Sequence, residues 1–260
     1  ALFLVLNASS WVMSIPTPLF FIIMSMISAN LQAVQARIEL ACARAGRPSG
    51  AVQLLAVSKT FDAEAVRQAW SAGQRAFGEN YVQEGVEKVQ QLRAAGLAGI
   101  EWHCIGPLQS NKTRPVAEHF DWVHTVDRLK VAQRLSEQRP PELPPLQVCV
   151  QVNVDGGPNK SGVLPEQALE LAQAVAALPR LRLRGLMCIP EPAPDFASAC
   201  AVFGRARALF DALNAHGLAL DTLSMGMSDD LEAAVASGST LVRVGSAIFG
   251  ARHYPAPAWA

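Results

Sequence analysis

Residues 51–80 read AVQLLAVSKTFDAEAVRQAWSAGQRAFGEN. The apolar run at 52–58 is short and rich in Val and Leu, which predicts a buried strand. Asp62 follows as an N-cap, and apolar residues then recur at helical spacing over 62–72. A second short strand is predicted at 75–77. Strand, helix, strand is the repeating unit of an α/β fold.

The alternation continues to the end of the chain. Further strands are predicted at 101–105, 122–124, 146–153, 183–188, 222–224 and 241–244. Helices are predicted at 80–95, 112–118, 127–138, 165–178, 195–215 and 229–237. In the clearest of these, Phe196, Ala199, Phe203, Ala206, Phe210 and Leu213 share one stripe. Pro165 suits the first turn of its helix and Gly217 closes another. Upstream, Leu31, Val34, Ile38 and Ala41 mark one face of a first helix that stops near Gly46-Arg47-Pro48. Eight strands with helices between them predict a single (β/α)8 TIM barrel rather than an open sheet. The Pro-rich stretch at 139–145 is a stiff connection, not a domain boundary.

Composition agrees with one large domain. The chain has 260 residues, 22 basic and 22 acidic, and half of it is apolar, which excludes intrinsic disorder. Without a basic excess, a nucleic-acid partner is not expected. The five cysteines are odd in number and include no CxxC pair. That argues against a disulfide framework or a metal site and for a reducing, cytoplasmic setting. No charged residue or histidine precedes Arg37, yet the apolar runs before it are interrupted at 7–10 and by Pro16 and Pro18. A spanning helix needs about 20 continuous apolar residues, and a signal peptide needs a basic start, so no membrane segment is expected. Residues 1–23 are expected to be foreign to the fold, with the domain at 24–254 and a tail at 255–260.

In a β/α barrel, chemistry gathers where strands end. Lys59 closes the first strand, so its amine points into the barrel mouth. Desolvation there lowers a lysine pKa and favours attack on an aldehyde. A lysine snorkelling to the rim fits the same residue. Ser224-Met225-Gly226-Met227-Ser228 joins a strand to a helix, with hydroxyls and a glycine suited to an anion. Gly245-Ser246 ends the next strand in similar fashion. Either segment alone also fits a capped turn; the pair resembles a phosphate cradle. The acidic Asp229-Asp230 would oppose a phosphate unless turned away. An aldehyde-reactive lysine with a phosphate cradle suggests pyridoxal 5'-phosphate (PLP). Arg243, set against the pyridine nitrogen, would keep that nitrogen unprotonated and weaken the ring as an electron sink.

The chain from 30 to 252 closely resembles the pyridoxal phosphate homeostasis protein family. The resemblance rests on 55–60 (LAVSKT), 77–84 (FGENYVQE), 102–112 (WHCIGPLQSNK), 124–127 (HTVD), 159–162 (NKSG), 185–187 (GLM), 223–229 and 242–245 (VRVG). It departs from the family pattern at Pro107. The resemblance implies a fold-type III barrel like the alanine racemase N-terminal domain, with Lys59 as the aldimine lysine. It implies that Asn80 approaches the ring, that Ser224, Gly226, Ser228, Gly245 and Ser246 surround the phosphate, and that Arg243 faces the ring nitrogen. Lys160 reads either as a second, transient cofactor acceptor or as a solvated loop lysine. His103 reads as a core hydrogen-bonder, Glu79 as a capping or barrel-lining carboxylate, and Lys112 and Arg114 as a solvated helix start.

The expected function is binding, buffering and delivery of PLP inside the cell, by a monomer without turnover, with apo-enzymes as recipients. The alternative is a PLP-dependent amino-acid racemase. A racemase needs a second general base opposite the lysine, and neither Tyr81 nor Tyr254, the chain's tyrosines, is well placed to serve. A phosphosugar isomerase on the same barrel would leave Lys59 and Arg243 together unexplained.

Overall fold

A computed structural model describes residues 26–157 and 160–250. Eight parallel strands close into a barrel in chain order. They are β1 (Gln53–Val57), β2 (Ala76–Glu79), β3 (Glu101–Cys104), β4 (Trp122–Val126), β5 (Leu146–Gln151), β6 (Leu181–Met187), β7 (Thr222–Ser224) and β8 (Leu241–Val244). Closure is made by β8 on β1, with Leu55 opposite Arg243.

The helices are α1 (Met26–Arg44), α2 (Ala63–Ser71), α3 (Val82–Ala94), α4 (Thr113–His119), α5 (Leu129–Gln138), α6 (Ala168–Ala176), α7 (Phe196–Ala215), α8 (Leu231–Ala236) and α9 (Ser246–Phe249). The helix after β8 is only one short turn, and α1 packs against α2, α8 and α9 to complete the outer ring there. Arg37 pairs with Glu232 across α1 and α8, and Arg47 donates to the carbonyls of Val235 and Ser239. Asp62 caps α2 by accepting from the Ala65 N–H at 2.9 Å, as its sequence position predicts. Pro165 heads a 3-10 turn that leads into α6, so the predicted helix there is divided in two.

Along each strand, side chains alternate between two environments. Leu54 and Ala56 join the large core under the helices, whereas Leu55 and Val57 face the barrel interior with Ala76, Ile105 and Leu241. Extending that alternation puts Lys59 on the inward parity and Ser58 on the outward one. Asn80, His103, His124, Ser224 and Arg243 share the inward parity. The barrel interior therefore carries a polar set between its small apolar clusters. Gly106 lets the β3 loop touch the β2 loop: a Cβ there would lie 2.0 Å from the Asn80 carbonyl oxygen. Pro107, which follows, is exposed. Among the described residues, no helix is long and apolar enough to cross a membrane. Residues 1–23 and the tail at 255–260 lie outside the described residues.

Candidate functional site

A cleft of about 260 Å³ opens at the C-terminal ends of β1, β2 and β8. Six of the eight predicted residues line it: Lys59, Asn80, Ser228, Arg243, Gly245 and Ser246. Val57, Phe61, Ile105, Ile189 and Met227 supply apolar walls, and Phe61 packs on Phe249 with ring centres 5.2 Å apart. Apart from Met227, which falls within the 224–228 segment, the sequence gives no sign of these walls, because nothing in an isolated Ile or Phe distinguishes a pocket wall from core.

Ser224 and Gly226 lie behind the lining. Ser224 is fully buried, and its Oγ accepts from Arg243 Nη1 at 2.8 Å. Gly226 has φ +96°, and a Cβ there would lie 2.5 Å from that of Ala234. A glycine there suits the turn into α8. Gly245 does border the cleft, and a Cβ there would crowd the Val57 carbonyl oxygen at 3.1 Å. The two aspartates divide. Asp230 Oδ1 accepts from the Met227 N–H, whereas Asp229 stands exposed at the cleft rim.

Lys59 sits on a strained turn. Thr60 has φ +67°, a conformation that a β-branched residue adopts only when its surroundings impose it. Here the Thr60 N–H donates to Glu84 Oε1 at 2.6 Å. Lys88, buried on α3, donates to that same oxygen at 2.6 Å, to Glu79 Oε1 at 2.9 Å and to the Ser58 carbonyl at 2.8 Å. Ser58 Oγ also donates to Glu79. Both neighbours of Lys59 are thus tied to one buried ionic cluster. Glu79 lies outside the barrel interior, against α3, so its role is to clamp rather than to line. Burial pushes its carboxyl above the usual range, opposed by the Lys88 charge. Lys88 was legible in principle: it falls on the same helical face as Gly85, Val89 and Leu92, where a solvated lysine is out of place.

Arg243 is buried, with Nη2 on the Cys188 carbonyl at 2.9 Å. His103 is a core hydrogen-bonder, as expected, joined to Glu101 and His124. Lys160 stands off the cleft lining, its Nζ 3.0 Å from Glu191 Oε1. Lys112 and Arg114 are exposed. No group of three or more His, Cys, Asp or Glu among the described residues is placed to hold a metal ion.

Barrel and cleft together define a class: residues 29–253 match the alanine racemase N-terminal domain family. Solved alanine racemases share this architecture at low identity; that of Corynebacterium glutamicum is 18% identical with TM-score 0.67, over 91% of this chain and 64% of its own. Within the class, the chain belongs to the pyridoxal phosphate homeostasis protein family. It is 60% identical to the Pseudomonas aeruginosa member over 235 residues, 90% of this chain and all of that protein. The Escherichia coli K12 member is 54% identical over 231 residues, covering 89% and 99%. The PipY protein of Synechococcus elongatus, solved with PLP bound, is 38% identical with TM-score 0.74, covering 86% of this chain and all of that one.

Proposed function

We propose that this protein holds PLP in the β1–β8 cleft, buffers it and releases it to apo-enzymes, without turnover of its own. The observation that carries the reading is the pairing across the barrel seam: Lys59 and Arg243 reach one small cleft from adjoining strands. The cleft's chemistry fits the cofactor. Asn80 Oδ1 is buried beside it with no protein partner, a condition natural to a residue that meets a polar ligand. PLP supplies an aldehyde, which condenses with the Lys59 amine, forming one C=N bond and releasing one water. Arg243, permanently protonated and a donor only, holds the ring nitrogen as an acceptor. Ser228, Gly245 and Ser246 receive the phosphate. The name of the family and the PLP-bound PipY structure support this assignment.

Absence of turnover is argued from what the lining offers. Tyr81 is exposed and lies off the cleft, and Tyr254 falls outside the described residues. The carboxylate among the described lining residues, Asp229, is exposed to water at the rim. The open mouth also admits water. We place the protein in the cytoplasm, a reading that its five free cysteines support, and take it to act as a monomer.

One experiment tests binding and role together. Borohydride reduction and peptide mass spectrometry are expected to find the pyridoxyl group on Lys59. Mixing the loaded protein with an apo-enzyme is expected to restore that enzyme, while α-proton exchange of amino acids stays at background. A label confined to Lys160 or Lys112 would refute the Lys59 assignment. Lys59-dependent exchange at enzymatic rates, with no reactivation, would establish the racemase-like alternative.

A further inference from the structure

Arg243 heads an unbroken line of side chains that crosses the barrel interior. Its Nη1 lies 2.8 Å from Ser224 Oγ; Ser224 Oγ lies 2.9 Å from His124 Nδ1. His124 Nε2 lies 2.9 Å from His103 Nδ1, and His103 Nε2 lies 2.8 Å from Glu101 Oε1. Ser224, His124 and His103 are fully buried. Glu101 begins β3, so the line runs from the cleft to the opposite face of the barrel, where the Glu101 side chain is 41% exposed.

The chemistry of the two ends fixes every proton between them. A guanidinium only donates, and a carboxylate only accepts. Ser224 must therefore accept from Arg243 and pass its own proton to His124 Nδ1. His124 is then neutral, with its proton on Nε2, and donates to His103 Nδ1. His103 in turn donates from Nε2 to Glu101. The reverse arrangement would leave the Ser224 proton buried without an acceptor, which is unfavourable. The electrostatics agree. Burial first, and then the proximity of His103 and Arg243, hold His124 well below the usual histidine range, as a neutral ring requires, and the bond from His103 lowers Glu101. Trp122 and Gln53 also face Glu101, and Cys188, Asp230 and Cys149 face Arg243. Trp122 stacks on the His103 ring at 5.2 Å and holds it in place.

We propose that Ser224, His124, His103 and Glu101 form a positioning relay for Arg243. The relay locks the guanidinium in the cleft wall and turns every proton of the line away from the ligand. Arg243 is then a rigid donor whose bonded neighbours are neutral, with a carboxylate's charge directed toward it from the far side of the barrel. None of the relay groups can give a proton to a ring nitrogen above it. The consequence for the ligand rests on the function proposed above; the proton order does not.

Nitrogen-15 NMR of the histidine-labelled full chain, near neutral pH and with the ligand both present and removed, reads the tautomers directly. His103 and His124 are both expected to carry their proton on Nε2. A proton on Nδ1 of either ring, or a doubly protonated His124, overturns the relay. Glu101→Gln keeps an acceptor oxygen but removes the charge. It is expected to release PLP about three- to tenfold faster and to shift the absorbance of the bound cofactor, with the melting temperature unchanged. Unaltered release and absorbance overturn the proposal, even if the variant is less stable, because that pattern marks a purely structural role. An unmodified protein that retains no PLP defeats the proposed function instead, and the tautomers still decide the relay.

Discussion

Lys88 donates to the carbonyl of Ser58 at 2.8 Å, one residue before the lysine assigned to the cofactor. Its ammonium also neutralises Glu79, whose side chain is fully buried. Lys88→Met leaves that carboxylate without its cation, and breaking a buried pair in this way costs about 3–5 kcal/mol. The sign of the pH effect follows from Glu79. Its folded pKa is raised, mainly by burial, so its stabilising contribution is complete below the unfolded range near about 4.3 and is lost as pH rises through the folded value. Without Lys88 that value climbs further. Denaturation of Lys88→Met is therefore expected to show recovery on acidification from about pH 7 to about pH 5, and Glu79→Gln added to it is expected to restore part of the loss. A deficit independent of pH would show that the charge on Glu79 is not the cause.

The thiols give a second test. Burial pushes Cys104, Cys149 and Cys188 up to about 12 and raises Cys42 as well, so these groups stay protonated and unreactive near neutrality. Cys200 is only partly buried. A thiol reagent is expected to titrate Cys200 alone in the native protein and all five cysteines after denaturation. Rapid native labelling at Cys188, which lies beside Arg243, would mean that the barrel interior opens.

At the cleft, Arg243→Ala removes the residue proposed to face the ring nitrogen and leaves the Ser224 hydroxyl without its donor. PLP retention is expected to fall by about tenfold or more, as a lost bond to a charged group implies. Ser228→Ala is expected to weaken retention with little change in folding. Asp230, not Ser228, holds the N-cap position of α8, and its carboxylate already takes the Met227 N–H. Equilibrium dialysis and thermal melts separate the two effects. Full retention by both variants would place the ligand elsewhere.

Removing residues 1–23 is expected to leave a folded, PLP-retaining protein. The first described helix, α1, begins at Met26, and every cleft residue lies downstream. Loss of cofactor or aggregation confined to the shortened chain would assign those residues to the fold.

The strands were legible because a barrel of parallel strands announces itself as short apolar runs between helical repeats. Their ends were less so. Gly78 and Glu79 look like loop residues in sequence, yet β2 runs through them because Gly78 fits against Leu55 and Ile105 while Glu79 meets Lys88. α9, at four residues, is too short to show a period. In the cleft, Lys59 and Arg243 could be read from strand ends and Asn80 from the family resemblance, but the contacts of Ser224 inside the barrel could not. Its hydroxyl answers to His124, a hundred residues away, and a linear reading cannot weigh such a contact. The inward parity of His103, His124, Ser224 and Arg243 was nonetheless written in the alternation of each strand.

The seam between β1 and β8 gives the cleft an unusual relation to synthesis. Lys59 leaves the ribosome early and Arg243 among the last strand residues, and no cleft exists until the final strand slides in beside the first. A truncated or stalled chain could display the lysine but could not retain the cofactor. Retained PLP would thus mark a chain whose last strand has been made, and release of short fragments carrying stably bound PLP from translation would contradict it.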